Sequence, residues 1–172
     1  QAPSKTLIND CYPINPLELA YKFLLVEGIS TLTLGAFEPK DIDLARKLLI
    51  HFGPLNELEI NALAKLREEA KRRLGETLCE RCEACLPCPK DVPIPELLHL
   101  RNLLIGHELN AFTEERYNLI GKAGHWWESL DASSCKKCGE CIPRCPSNLA
   151  IPDLLEETHK RLAAKPRRRL WG

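Results

Sequence analysis

A mainly α-helical chain is predicted by three observations: apolar residues recurring every three to four positions, Pro, Asn and Gly where helices would start and stop, and only one short strand-like stretch. Asn15 is placed to cap the first helix, with Pro16 at its first position. Leu17, Ala20, Tyr21, Leu24 and Leu25 supply its apolar stripe before Gly28. Residues 29–34, Ile-Ser-Thr-Leu-Thr-Leu, are rich in β-branched side chains and partly alternate, so a short strand bounded by Gly35 is expected there. Pro39 and Asp41 open a second helix with Leu44, Ala45, Leu48, Leu49 and Phe52 on one face, and Gly53-Pro54 stops it. Asn56 and Glu59 have the spacing of a capping box. The helix they start runs along Ile60, Leu63, Leu66, Ala70 and Leu74 and closes at Gly75.

The 172 residues, 44% of them hydrophobic, suffice for one ordinary core or two small lobes of a globular protein. Twenty-four basic residues balance twenty-four acidic ones, so the overall field favours neither nucleic acid nor an anionic membrane. The longest apolar stretches, such as 23–26 and 103–105, are far too short to span a bilayer, and the N-terminus lacks a basic-then-apolar secretory signal. The basic run in the tail, 165–169, reads as a solvated terminus. The chain opens at Gln1 and contains no methionine, so nothing identifies Gln1 as a native start.

Eight of nine cysteines fall in two runs, Cys79-x2-Cys82-x2-Cys85-x2-Cys88-Pro89 and Cys135-x2-Cys138-x2-Cys141-x3-Cys145-Pro146. Three thiolates two residues apart can wrap one corner of a cuboidal iron–sulfur cluster, with a fourth arriving from farther along the chain. Two runs imply two [4Fe-4S] clusters, and the default task of such clusters is one-electron transfer. The second run has the bacterial ferredoxin spacing in full, whereas the first is one residue shorter between its third and fourth cysteines. Zinc would need only four thiolates, usually from two separated pairs, which leaves the third cysteine in step surplus. Disulfides suit an odd number of closely spaced cysteines poorly. Cluster chemistry and free thiolates point to a reducing, cytoplasmic compartment. Cys11 stands alone and is assigned no role.

The cysteine half is duplicated. Residues 88–98, Cys-Pro-Lys-Asp-Val-Pro-Ile-Pro-Glu-Leu-Leu, align with 145–155, Cys-Pro-Ser-Asn-Leu-Ala-Ile-Pro-Asp-Leu-Leu, at an offset of 57, against 56 for the three preceding cysteines. In each half Pro95 or Pro152 suits the first turn of a helix, with Glu96 or Asp153 near its positive end. Forty-six residues separate Cys88 from Cys135, and their pattern is helical: Leu97, Leu98, Leu100, Leu103 and Leu104 make one helix, while Thr113 with Glu114 and Glu115 starts another bearing Tyr117 and Ile120. A helical two-cluster domain follows, with each fourth cysteine crossing to the other half as in two-cluster ferredoxins. One cluster then takes Cys79, Cys82, Cys85 and Cys145, the other Cys135, Cys138, Cys141 and Cys88. Lys136, Lys137, Arg144 and Lys90 would raise a cluster's potential, and Glu80, Glu83 and Glu140 would lower it. His125-Trp126-Trp127 reads as an aromatic shield beside the second run. His51, His99, His107 and His159 show no ligand spacing.

Leu86-Pro-Cys-Pro89, the following Ile94-Pro95, and Cys135-x2-Cys138-Gly-Glu-Cys141-x3-Cys145-Pro146 resemble the C-terminal ferredoxin region of iron–sulfur aldo/keto reductases. Residues 21–49 resemble the last strand and helix of that family's (β/α)8 barrel, so the likeness covers nearly the whole chain. It implies a barrel-remnant segment (1–53), a connecting helix (54–75), a helical two-cluster ferredoxin-like domain (76–164) and a basic tail (165–172). In that family the barrel binds NADPH and reduces carbonyls through a Tyr, Lys, Asp and His set on earlier strands. A full barrel needs about 250 residues, so none of that set carries over, and NADP(H) is expected only in a longer chain. Gly35, Lys40 and Arg46 are the nearest candidates for a phosphate contact. The expected function is electron transfer between the missing barrel or another redox partner and the two clusters, with no carbonyl reduction by this chain alone. Two alternatives stand beside it: an independent helical ferredoxin subunit of a larger redox complex, and a zinc-stabilised interaction module.

Overall fold

Local capping chemistry sets most of the helix boundaries. The computed structural model describes residues 3–36, 38–50, 53–122 and 128–164. Among them are seven α-helices and no strand: α1 (Lys5–Cys11), α2 (Pro16–Val26), α3 (Pro39–Ile50), α4 (Glu57–Leu74), α5 (Ile94–His107), α6 (Asn110–Leu119) and α7 (Ile151–Leu162). The mainly helical expectation therefore holds. Phe52, His51, the His125-Trp126-Trp127 motif and the basic tail lie outside the described residues.

The side-chain oxygen of Asn15 accepts the amides of Leu17 and Glu18 at 2.9 and 3.3 Å, satisfying two donors that a helix start otherwise leaves open. At α4 the capping box is reciprocal: the Glu59 amide donates to Asn56 Oδ1 at 3.0 Å, and the Asn56 amide to Glu59 Oε2 at 2.7 Å. Helix α1 was not foreseen. It has only seven residues, lies between Pro3 and Pro13, and has a Ser4 cap that accepts the Leu7 amide at 3.0 Å.

Residues 29–36 correct the strand expectation, for they run irregularly without a ladder partner. β-branched composition favours an extended path, but a strand is completed by the hydrogen bonds of a neighbour. The hydroxyl of Tyr21 reaches the Thr33 carbonyl at 3.5 Å instead. Thr113 is a second correction. It lies inside α6, fully buried, and its hydroxyl donates back to the carbonyl of Leu109 or Asn110 rather than starting the helix.

The chain divides into two units, 2–69 and 70–172, with the boundary inside α4. In the first, Cys11, Leu19 and Ala62 form a small core joined by Leu7, Ile14, Leu55, Leu63 and Leu66. Leu19 is buried while Leu17 and Leu24 of the anticipated stripe are exposed. α2 is apolar on most of its circumference, so periodicity alone could not choose its inner face. Leu49 likewise stands in solvent although Leu48 beside it is buried. Burial is also the first cause that raises the Cys11 thiol's pKa, which suits a small packing residue.

In the second unit α5, α6 and α7 pack on one another. Leu97, Leu98 and Leu155 are at most 1% exposed, and the core extends without a break to Cys85 and Cys141. Gly106 permits the close packing of α5 on the end of α4: an added Cβ would lie 3.2 Å from both Ala70 Cβ and Leu74 Cδ1. No described helix is long and apolar enough to cross a membrane.

Candidate metal centres

Each cysteine run follows nearly the same backbone course. Left-handed residues recur at Arg81 and Glu83 in the first and at Lys137 and Gly139 in the second, then at Asp91 and Asn148 beyond the two Cys-Pro turns. Turn hydrogen bonds recur too: Leu86 N–H to Glu83 O at 2.9 Å matches Ile142 N–H to Gly139 O at 3.0 Å, and Asp91 N–H to Cys88 O at 2.9 Å matches Asn148 N–H to Cys145 O at 3.0 Å. Left-handed turns between successive cysteines coil the loop, so that side chains three residues apart face inward together. Gly139 adopts this conformation without strain, whereas Glu83 carries a Cβ into it at φ 62°. A short 3-10 turn precedes each run, at Gly75–Thr77 and at Ala132–Ser134.

Two cavities result. The first is lined by Cys79, Cys82, Cys85 and Cys145, and the second by Cys135, Cys138, Cys141 and Cys88. Three cysteines of one run thus meet the last cysteine of the other. Burial repeats as well: Cys85 and Cys141 are buried, Cys82 and Cys138 exposed, and the remaining four intermediate. Apolar side chains from both halves complete the walls, Pro95, Leu98, Leu149 and Ile151 around the first and Val92, Ile94, Pro152 and Leu155 around the second. The two halves are therefore knit together by the walls as well as by the thiols.

Residues that the cysteine pattern does not reveal hold the loops in position. Asn102 of α5 clasps the backbone of Cys79, its amide nitrogen donating to the carbonyl at 2.7 Å and its oxygen accepting the amide at 3.5 Å. Arg101 is buried, donates to Glu157 Oε2 at 2.8 Å and to the Thr77 carbonyl at 3.2 Å, and so ties α5 to α7 and to the turn before the first run. The Tyr117 hydroxyl accepts the Ala132 amide at 3.1 Å and lies 2.7 Å from His159 Nδ1, fixing the turn before the second run against α6 and α7. Arg144 donates to the carbonyls of Glu140 and Pro87, both at 3.0 Å, and thereby bridges the two runs. Polar residues at helical spacing look like ordinary surface in sequence, and only Arg144 carried a signal, as a charge beside a Cys-Pro turn.

The electrostatics are those of buried thiols. Removal from water raises Cys79, Cys85 and Cys141, Cys85 to about 11, and neighbouring cysteines add to the rise. Such groups remain protonated until a cation replaces the proton. The Lys137 amide donates to Cys135 Sγ at 3.4 Å, a contact of the kind that stabilises negative charge on sulfur. Lys137 is anchored by Glu156 at 2.5 Å, and this hydrogen bond raises the lysine and, with that from Lys160, lowers Glu156 to about 2.

Each cavity offers four thiols beside apolar and charged side chains, and a four-iron cube takes one thiolate at each of its irons. Among the described residues no group of three or more His, Cys, Asp or Glu side chains is gathered closely enough to hold a metal ion. Lys40 pairs with Glu38 at 2.7 Å and Arg46 with Asp43 at 3.8 Å, all four in solvent, and Gly35 lies in the irregular segment. Comparison with protein-family models, with curated proteins and with solved structures finds no match.

Proposed function

We propose that this chain is an electron-transfer module carrying two [4Fe-4S] clusters, one on Cys79, Cys82, Cys85 and Cys145 and the other on Cys135, Cys138, Cys141 and Cys88. The observation that carries the reading is the grouping of eight thiols into two cavities, each with three cysteines of one run and the last of the other. Bound clusters would supply one-electron chemistry there. The chain's own residues supply thiolates, apolar walls that keep water away, and amide donors such as that of Lys137. On the sequence resemblance, the module is the C-terminal part of an aldo/keto-reductase-like oxidoreductase and exchanges electrons with its nicotinamide-using barrel. A reducing, cytoplasmic setting suits the nine free thiols.

Anaerobic reconstitution with iron and sulfide tests the reading. About eight irons per chain, a brown colour and a paramagnetic signal on dithionite treatment are expected; fewer than about four irons with no signal would overturn it. Incubation with NADPH and a carbonyl substrate should give no turnover. The second reading is an independent helical ferredoxin subunit with the same cysteine chemistry. Immunoblotting of the native polypeptide separates the two, since a barrel adds about 250 residues to the 19.5 kDa of this chain.

A further inference from the structure

The two cavities have matching walls and unlike charges. Under the duplication Val92, Ile94, Pro152 and Leu155 of the second correspond to Leu149, Ile151, Pro95 and Leu98 of the first, so the apolar frame is common to both. Around that frame the first cavity carries Glu80, Glu83 and Arg81, whereas the second carries Lys90, Lys136 and Arg144. Their immediate partners widen the contrast. The Arg81 guanidinium lies 3.9 Å from Glu96, which offsets the first cavity's one positive charge. Arg144 contacts carbonyl oxygens and so keeps its full charge beside the second cavity. Opposing this are Glu140, adjacent to Cys141, and the pairing of Lys137 with Glu156. Asp91, whose amide bonds the Cys88 carbonyl, and Asp153, next to Pro152, oppose it as well. Among the side chains that line the cavities themselves, the second has three cations and no carboxylate, the first one cation and two carboxylates.

Donor set, cysteine burial and apolar wall are alike, so fixed charge is what distinguishes the sites. Resting on the electron-transfer reading above, we propose that these side chains set unequal one-electron potentials. Lys90, Lys136 and Arg144 stabilise an added electron in the cavity of Cys88, Cys135, Cys138 and Cys141, while Glu80 and Glu83 oppose one in the cavity of Cys79, Cys82, Cys85 and Cys145. The first electron from an external one-electron donor therefore settles in the second cavity, and a second electron is needed to fill the first. Each transfer oxidises the donor by one electron. The charged side chains gain and lose nothing; they act through their field.

Anaerobic redox titration of the full reconstituted chain, followed by electron paramagnetic resonance, tests this ordering. Two one-electron steps are expected, with reduced-to-oxidised ratios at least tenfold apart at any given potential, a separation of about 59 mV or more. Lys90→Gln should lower only the higher step and Glu80→Gln should raise only the lower one, each by about threefold or more in that ratio. Iron content should be the same in both variants, which shows that the sites assembled. Coincident steps, or a lower step that moves in Lys90→Gln, would overturn the ordering while leaving the clusters in place. A chain that takes up fewer than about four irons and gives no paramagnetic signal on dithionite reduction would overturn the electron-transfer reading itself, and the ordering with it.

Discussion

The 2–69 unit and the 70–172 unit are held together by different means. The first relies on a small core around Leu19 and on helix-start chemistry such as the Asn56–Glu59 box and the Lys22–Glu59 ion pair at 2.7 Å. The second has a larger core that reaches the cysteines, so its packing and its site chemistry are one object. The difference teaches where loss of metal should be felt. On the cluster reading, the first unit has only apolar burial and helix capping to lose, while the second would also lose what bound clusters add to its packing.

Stripping the clusters with a chelator should produce the largest effect. Hydrogen exchange should show α5 and α7 losing most of their protection while α1 and α2 retain theirs; structural zinc, for comparison, supplies about 10–16 kcal/mol to small domains. Equal protection of α5 and α7 in the stripped and loaded chains would break the comparison. Cavity-forming substitutions come next. Leu155→Ala and Leu19→Ala should each cost about 2–5 kcal/mol in chemical denaturation, with Leu19 at the low end because its small core can collapse. Only Leu155→Ala should also reduce iron per chain, since Leu155 lines the second cavity.

Asn56→Ala should cost about 1 kcal/mol in the first unit, by removing the side chain that accepts the Glu59 amide, and should leave iron uptake unchanged. The smallest effect concerns pH. Burial pushes Glu59 up, but hydrogen bonds from Lys22 and the Asn56 amide and the lysine's charge outweigh it, so its carboxyl lies below the ordinary 4.5. A folded value below the unfolded one gives stability that is present above pH 4.5 and is lost as pH falls through the folded value. Between pH 7 and pH 3 wild type should therefore lose up to about 1 kcal/mol more than Glu59→Gln, read from denaturation midpoints. An equal loss in both would show that the pair contributes nothing.

Helix starts were legible because they depend on neighbours in sequence. Asn15 before Pro16, and Asn56 three residues before Glu59, bring donor and acceptor together within one turn, whatever the rest of the chain does. Segment 29–36 misled for the converse reason: its β-branched side chains state a preference, and a strand needs a partner that composition cannot provide. The inward face of α2 was hidden by apolar residues on nearly every side, and the start of α6 by a threonine that bonds backward as readily as it caps. At the candidate site the cysteines and their duplication were plain. Asn102, Arg101 and Tyr117 were not, since a polar side chain that clasps a loop differs in no local way from one that meets water.

Taken alone, the amino-acid order determined the helical class, most of the helix starts and the eight candidate sulfur ligands, because each depends on contacts within a few residues. The tertiary structure decided which faces are buried, which side chains anchor the loops, and how the charges are shared out, with Glu80 and Glu83 at one cavity and Lys90, Lys136 and Arg144 at the other. Fields and packing depend on distance through space, and Lys90 and Lys136 come to one cavity only once α5 and α7 have brought the two halves together.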